Sequence, residues 1–210
     1  MKVIDLTHTI KNDMPVYPGT EQPQLTTACT IDEVGYKETL LHMYSHTGTH
    51  MDAPAHMLRE GMTLDAFPAE RLVGKGVVID CRGEKEISLE LLRRYDLSGA
   101  EFVLFCTGWD KRWGQNSYYE DFPVLTSEAA DYLATFSLKG VGEDSISLDP
   151  CDSVDFPNHL TLMKKGFLNT ENLKNLEQLI GKAFTFMTLP LKFEASDGCS
   201  CRVVAIIEEN

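Results

Sequence analysis

The stretch from Ser45 to Leu58, SHTGTHMDAPAHML, gathers His46, His50, Asp52 and His56 within eleven positions of a chain that has six histidines in all. Imidazole nitrogens with a carboxylate form a donor set for a borderline divalent ion such as zinc or manganese, with coordination positions left for water. A lone histidine is more often a hydrogen-bonded, partly buried residue than a ligand. Four such groups together read differently, because bringing several polar groups to one place is costly unless something compensates them, and a metal ion is a common compensation. His46 and His50 would share a helix face, but Thr47, Gly48, Thr49 and Pro54 argue against a helix. In an extended or turning segment His50 and Asp52, two apart, point to the same side, and Gly48 lets the backbone bend enough for His46 to join them.

Short apolar runs must supply the frame. Strands are expected at VIDLT (3–7), across 36–45, and at GVVID (76–80), FVLFC (102–106), AFTFMTLPL (183–191) and RVVAIIE (202–208). Helices are expected at SLELLRRYD from Ser88, at TSEAADYLATF from Thr126, at NHLTLMKKG closing on Gly166, and at ENLKNLEQLIG closing on Gly181. This order gives an α/β protein with a mixed β-sheet and flanking helices, in one domain over residues 1–210.

Nineteen lysines and arginines against 32 aspartates and glutamates leave a net charge of −13, which repels nucleic acid and anionic membrane surfaces. No run of about 18 apolar residues and no basic-then-apolar leader occurs, so a soluble, cytoplasmic protein is expected. Six scattered cysteines fit reduced, buried thiols. The Cys199 and Cys201 pair alone is too few for a zinc site, which needs about four ligands.

The pattern H-x-x-x-H-x-D-x-x-x-H resembles that of the cyclase-like metal-dependent hydrolases, the group that includes bacterial kynurenine formamidase (arylformamidase) and isatin hydrolase. The resemblance runs through DLTHTI, MPVYPGT, HTGTHMDAPAH, GVGEDSISLDP, DFPNHLTLMKKGFLNTENL and LKFEASDGCSCRVVAI, in that order. It implies the family's swivelling β/β/α fold and a homodimer or larger homo-oligomer. It also implies that His159 and Glu171 complete the first cluster. On the residues alone, His159 starts one helix and Glu171 the next, where a first-turn carboxylate would simply suit the helix dipole.

From the resemblance follow one or two divalent ions, zinc or manganese, with Asp52 between them, His46 and His50 on one side, and His159 and Glu171 on the other. A divalent ion lowers the pKa of a bound water from about 15.7 to about 7. His56 matches the family's catalytic histidine, and an imidazole of pKa about 6.5 can take a proton from water and return it to a departing nitrogen. The substrate implied is a small-molecule amide, N-formylkynurenine first, another cyclic or linear amide such as isatin second. In kynurenine formamidases a tryptophan of the Pro-x-x-Pro-Gly turn stacks on the substrate. Here the turn is PVYPG, and Tyr17 keeps an aromatic face while adding a hydroxyl that needs a partner. A metal-dependent lyase or dehydratase and a non-catalytic binding protein remain as alternatives at this level, although a pure binder has no need of a proton shuttle at His56.

Overall fold

Five of the six expected apolar runs become strands of one eight-stranded sheet. The computed structural model describes residues 1–208. In chain order the strands are β1 (Lys2–Asp5), β2 (Gln24–Cys29), β3 (Glu38–His42), β4 (His50–Asp52), β5 (Val73–Asp80), β6 (Phe102–Cys106), β7 (Gly140–Glu143), β8 (Leu168–Glu171), β9 (Phe184–Pro190) and β10 (Gly198–Ile207). The sheet runs β1-β10-β4-β8-β7-β6-β5-β9, and a further β9–β10 pairing closes it into a ring with β1 outside. Neighbours from β5 through β8 are parallel, whereas β1, β4, β9 and β10 join antiparallel. The architecture is thus α/β with a mixed sheet, as the sequence implies.

Alternation along buried strands divides the core into two layers. From β6, Phe102, Leu104 and Cys106 enter the layer enclosed by the sheet, with Met51, Phe186 and Val203. Val103 and Phe105 face outward onto helices α2 (Leu89–Leu92), α3 (Ser127–Leu133) and α4 (Pro157–Met163). The helix starts were legible. The Ser88 hydroxyl accepts from the Leu91 amide at 3.2 Å and the Thr126 hydroxyl from the Ala129 amide at 3.2 Å, each satisfying an amide that the first turn leaves without a partner.

Two expectations are corrected. Glu171 does not begin a helix but ends β8, and the segment after it forms only a 3₁₀ turn at Leu176–Leu179. Pairing with β4 and β7 holds residues 168–171 extended, and Asn172 (φ 56°) and Asn175 (φ 62°) take left-handed conformations that break a helix. The strand expected across 36–45 shortens to β3 and leaves the main sheet. It pairs only with β2, in an exposed hairpin that carries the short helix α1 (Ile31–Val34) between its strands. Sequence reading also missed β2, β7 and β8, which are short and rich in polar residues or glycine.

Within the ring β5 meets β9, with Gly76 opposite Phe184. A Cβ at Gly76 would stand 2.5 Å from the Phe184 Cζ atom, so the ring fills the space the glycine leaves. Gly76→Ala is therefore expected to lower the unfolding free energy by about 1–3 kcal/mol. Adding Phe184→Leu should recover part of that loss, and denaturant midpoints of the two variants test it; no recovery would place the strain elsewhere.

Candidate metal centre

The face of the sheet that meets α4 carries an unusual row of polar residues. In β4 the period of two sends His50 and Asp52 to this face while Met51, fully buried, enters the enclosed core. Antiparallel β8 supplies their cross-strand neighbours, Glu171 opposite His50 and Asn169 opposite Asp52. Helix α4 lies over them and delivers His159. His50, Asp52, His159 and Glu171 are 4%, 1%, 3% and 5% exposed, so none of these groups relies on water for its solvation.

Each histidine is oriented from behind. The His50 Nδ1 lies 2.8 Å from the Gly48 carbonyl, to which it donates, which turns Nε2 toward Asp52 Oδ1 at 3.2 Å and Glu171 Oε2 at 3.4 Å. His159 sets Nδ1 against Asp149 Oδ2 at 2.7 Å and Nε2 against Glu171 Oε1 at 3.1 Å. Asp149 also accepts the backbone amides of Asn158 (3.0 Å) and His159 (3.1 Å), so one carboxylate caps the start of α4 and aims its histidine. His46 reaches the site from the turn before β4, where Gly48 takes φ 68°. Its Nδ1 is 2.7 Å from Asp52 Oδ1 and its Nε2 3.0 Å from Asp197 Oδ2. Gly198 makes the seat, since a Cβ there would lie 2.6 Å from His46 Nε2.

Two triads of potential ligand atoms result, His46 with His50 and Asp52, and Asp52 with His159 and Glu171, each with its atoms within 4.8 Å of one another. Asp52 belongs to both. Nitrogen and carboxylate donors, converging and buried, fit zinc or manganese. His56 stands beside them in a third group with His46 and Asp197. Its ring centroid is 3.9 Å from that of His46, and its Nδ1 is 3.7 Å from Asp197 Oδ2.

Charge coupling within the cluster is strong. Burial alone would lower His46, yet the carboxylates of Asp52 and Asp197 outweigh it and hold the imidazole up at about 9. Burial likewise opposes a proton on His159, but Asp149, Glu171 and Asp52 raise it well above the usual histidine value. Asp52 moves the other way, well below the usual carboxylate range, because His46 and His50 overcome the cost of burying its charge. Protons on histidines thus balance the carboxylates, a role that a divalent cation would fill in their place. His56 differs: burial dominates and lowers its pKa, leaving a neutral ring that can accept a proton.

All the residues singled out in the sequence meet here. His46, His50, Asp52, His56, His159, Glu171 and Tyr17 line one cavity of about 440 Å³, whose remaining wall includes Tyr44, Met57, Ile146 and Phe156. The Tyr17 hydroxyl donates to the Cys151 carbonyl at 3.3 Å, which supplies the partner its hydroxyl requires. Sequence reading missed Asp149, Asn169, Asp197 and Glu143. The Asn169 amide nitrogen lies 3.0 Å from Glu171 Oε1 and 3.2 Å from Glu143 Oε1. Glu143 is 1% exposed, and burial with the charge of Glu171 pushes its carboxyl well above the usual range. No local pattern marks these four, because each meets the site through a strand pairing or a loop return.

A family model described as "Putative cyclase" matches residues 4–150. A kynurenine formamidase of Salinibacter ruber is 31% identical over 208 residues, 97% of each chain. Isatin hydrolase A from Labrenzia aggregata, solved with benzyl benzoate, superposes with a TM-score of 0.89 at 28% identity, over 99% of this chain and 94% of its own. A structure described as a potential metal-dependent hydrolase with cyclase activity reaches 0.84 at 31% identity, over 100% and 99%. Matched by the family model over well more than half its length, and by a relative above 30% identity over nearly all of it, this chain belongs to the cyclase family.

Proposed function

We propose that the whole chain, as one domain, is a metal-dependent hydrolase that cleaves a small aryl amide with water, a formanilide foremost, the class to which N-formylkynurenine belongs. The observation that carries this reading is Asp52, shared by two triads of potential ligand atoms on the floor of an aromatic-walled cavity with His56 beside it. The names of its relatives, kynurenine formamidase and isatin hydrolase, support hydrolysis. A cyclic aryl amide is the second reading, favoured by the superposition on isatin hydrolase A.

His46, His50 and Asp52 would hold one ion, and Asp52, His159 and Glu171 a second. A divalent ion bound there would supply Lewis acidity toward water and the amide carbonyl. The chain's own residues then have distinct tasks. His56 accepts a proton from the attacking water, whose oxygen joins the acyl carbon, and returns it to the nitrogen as the C–N bond breaks. The products are an amine and an acid that ionises at neutral pH. Asp197 lies against both His46 and His56 and keeps their rings together. Tyr17 and Phe156 give the aryl group its resting surface, where binding counts for substrate and transition state alike.

The β2–β3 hairpin supports a homodimer. Ile31, Tyr36, Leu40 and Leu41 on it are 65%, 59%, 61% and 53% exposed, a concentration of apolar side chains that water disfavours. Six unpaired cysteines, four of them buried, suit a reducing cytoplasm. Among the described residues no helix is long and apolar enough to cross a membrane.

Protein purified without chelator should contain zinc or manganese near one or two per chain by elemental analysis. His56→Ala should keep that content while turnover falls by about two to four orders of magnitude; loss of metal in this variant would make His56 a ligand instead. Tyr17→Ala should raise KM for a formanilide more than it lowers kcat, and a fall confined to kcat would remove Tyr17 from the binding surface. Sedimentation should give twice the chain mass of 23.5 kDa, and Leu40→Glu with Leu41→Glu should yield monomer. A monomeric parent protein would sink the hairpin interface.

A further inference from the structure

The cavity has a charge character that narrows its substrates. Among its nineteen lining residues none is lysine or arginine, while Asp52, Glu171 and Asp197 are carboxylates. Asp197 is the most open of the three, its side chain 46% exposed. We propose that this cavity selects aryl amides without a free carboxylate and discriminates against those that carry one, as an α-amino acid side arm does. The proposal rests on the hydrolase reading for its reaction and adds the class of substrate.

Several hydrogen-bond donors in the wall are already engaged, and those left are neutral hydroxyls, of Thr20, Tyr44 and Ser147, with no cation among them. The Ser45 hydroxyl donates to Asp197 Oδ1 at 3.2 Å. The Tyr17 hydroxyl donates to the Cys151 carbonyl, and the Asn172 amide nitrogen to the Gly48 carbonyl at 3.0 Å. Much of the wall that an aryl substituent would meet is apolar, chiefly Val16, Met57, Ile146 and Phe156. A carboxylate placed there loses its water and gains no ion pair or bidentate partner in return. Positive charge in the cavity lies at its floor, on the histidines and on any ion they hold, and that is where the scissile amide must sit. A substrate anion drawn to the floor therefore competes with its own reacting group. At longer range the net charge of −13 opposes the approach of any anion.

The test compares three formanilides on metal-loaded protein: N-(2-acetylphenyl)formamide, which keeps the ring and ketone of N-formylkynurenine without its amino acid arm, N-formylkynurenine itself, and 2-formamidobenzoate. We expect kcat/KM for the neutral compound to exceed that for N-formylkynurenine by about tenfold or more, with 2-formamidobenzoate lowest. Calorimetric binding of the matching amine products, 2-aminoacetophenone and kynurenine, should rank in the same order. Thr20→Arg puts a cation into the half-buried part of the wall at Thr20, and it should shift the ratio toward N-formylkynurenine by about tenfold. Faster turnover of N-formylkynurenine with tighter binding of kynurenine would overturn the proposal, and so would a ratio unmoved in a folded Thr20→Arg variant. Absence of turnover on all three compounds, with the binding order retained, would instead overturn the hydrolase reading and leave charge selection standing.

Discussion

A single carboxylate, Asp52, sets the terms for the rest of the molecule. It is 1% exposed, lies in a strand of three residues, and meets His46 and His50 from one side and Asn169 and His159 from the other. An unpaired carboxylate at that depth would cost several kcal/mol, and removing any one partner leaves the charge partly uncompensated. The fold must therefore bring partners from three places in the chain to one point. Closure of the sheet achieves this: β4 lies between β8 and β10, so Glu171 and Asn169 stand on one flank of His50 and Asp52, while Gly198 and the preceding Asp197 stand on the other. Chain separations of more than 100 residues become neighbouring strands.

Not all of that was legible in the residues. The first cluster was, because its signal is local: two residues in an extended segment share a face whatever the tertiary structure, and Gly48 permits the bend. Helix starts at Ser88 and Thr126 were legible for the same reason, since a cap acts within three residues. Glu171 shows the limit. Its segment has the composition of a helix start, and only the neighbouring strands β4 and β7, distant in sequence, hold it extended. The resemblance to known hydrolases identified the residue while local propensity gave the wrong element. Asp197 and Asp149 carry no signal at all, because an aspartate beside a glycine or a proline reads as a turn until a histidine from elsewhere is brought against it.

Acceptors outnumber donors in the buried layer behind the cluster. Glu143 Oε2 and Asn169 Oδ1 are both buried without a hydrogen-bond partner. Folded proteins rarely leave such atoms unmatched, and where they do, a functional site is a common reason. The excess of oxygen acceptors is the same imbalance that holds protons on His46 and His159. It is a local cost to stability, and the two apolar layers on either side of the sheet offset it.

Floor and walls of the cavity are built differently, and this separates chemistry from choice of substrate. The potential ligand groups sit mainly on β4, β8 and α4, or are clamped by Asp149 and Asp197, so their positions follow from strand register and helix docking. Much of the wall comes from segments outside the main sheet: Val16 and Tyr17 from the turn before the hairpin, Ile146 from the loop after β7, and Phe156 from the left-handed position that starts α4. Loop residues can change without disturbing the register that fixes the floor. A kynurenine formamidase resembles this chain in sequence and an isatin hydrolase shares its fold, which is what such a division allows. On the proposed reading the charge and shape of the wall set the choice of substrate, and Asp197 belongs to both parts, bonded to a floor histidine through one oxygen while its side chain stays open to what enters.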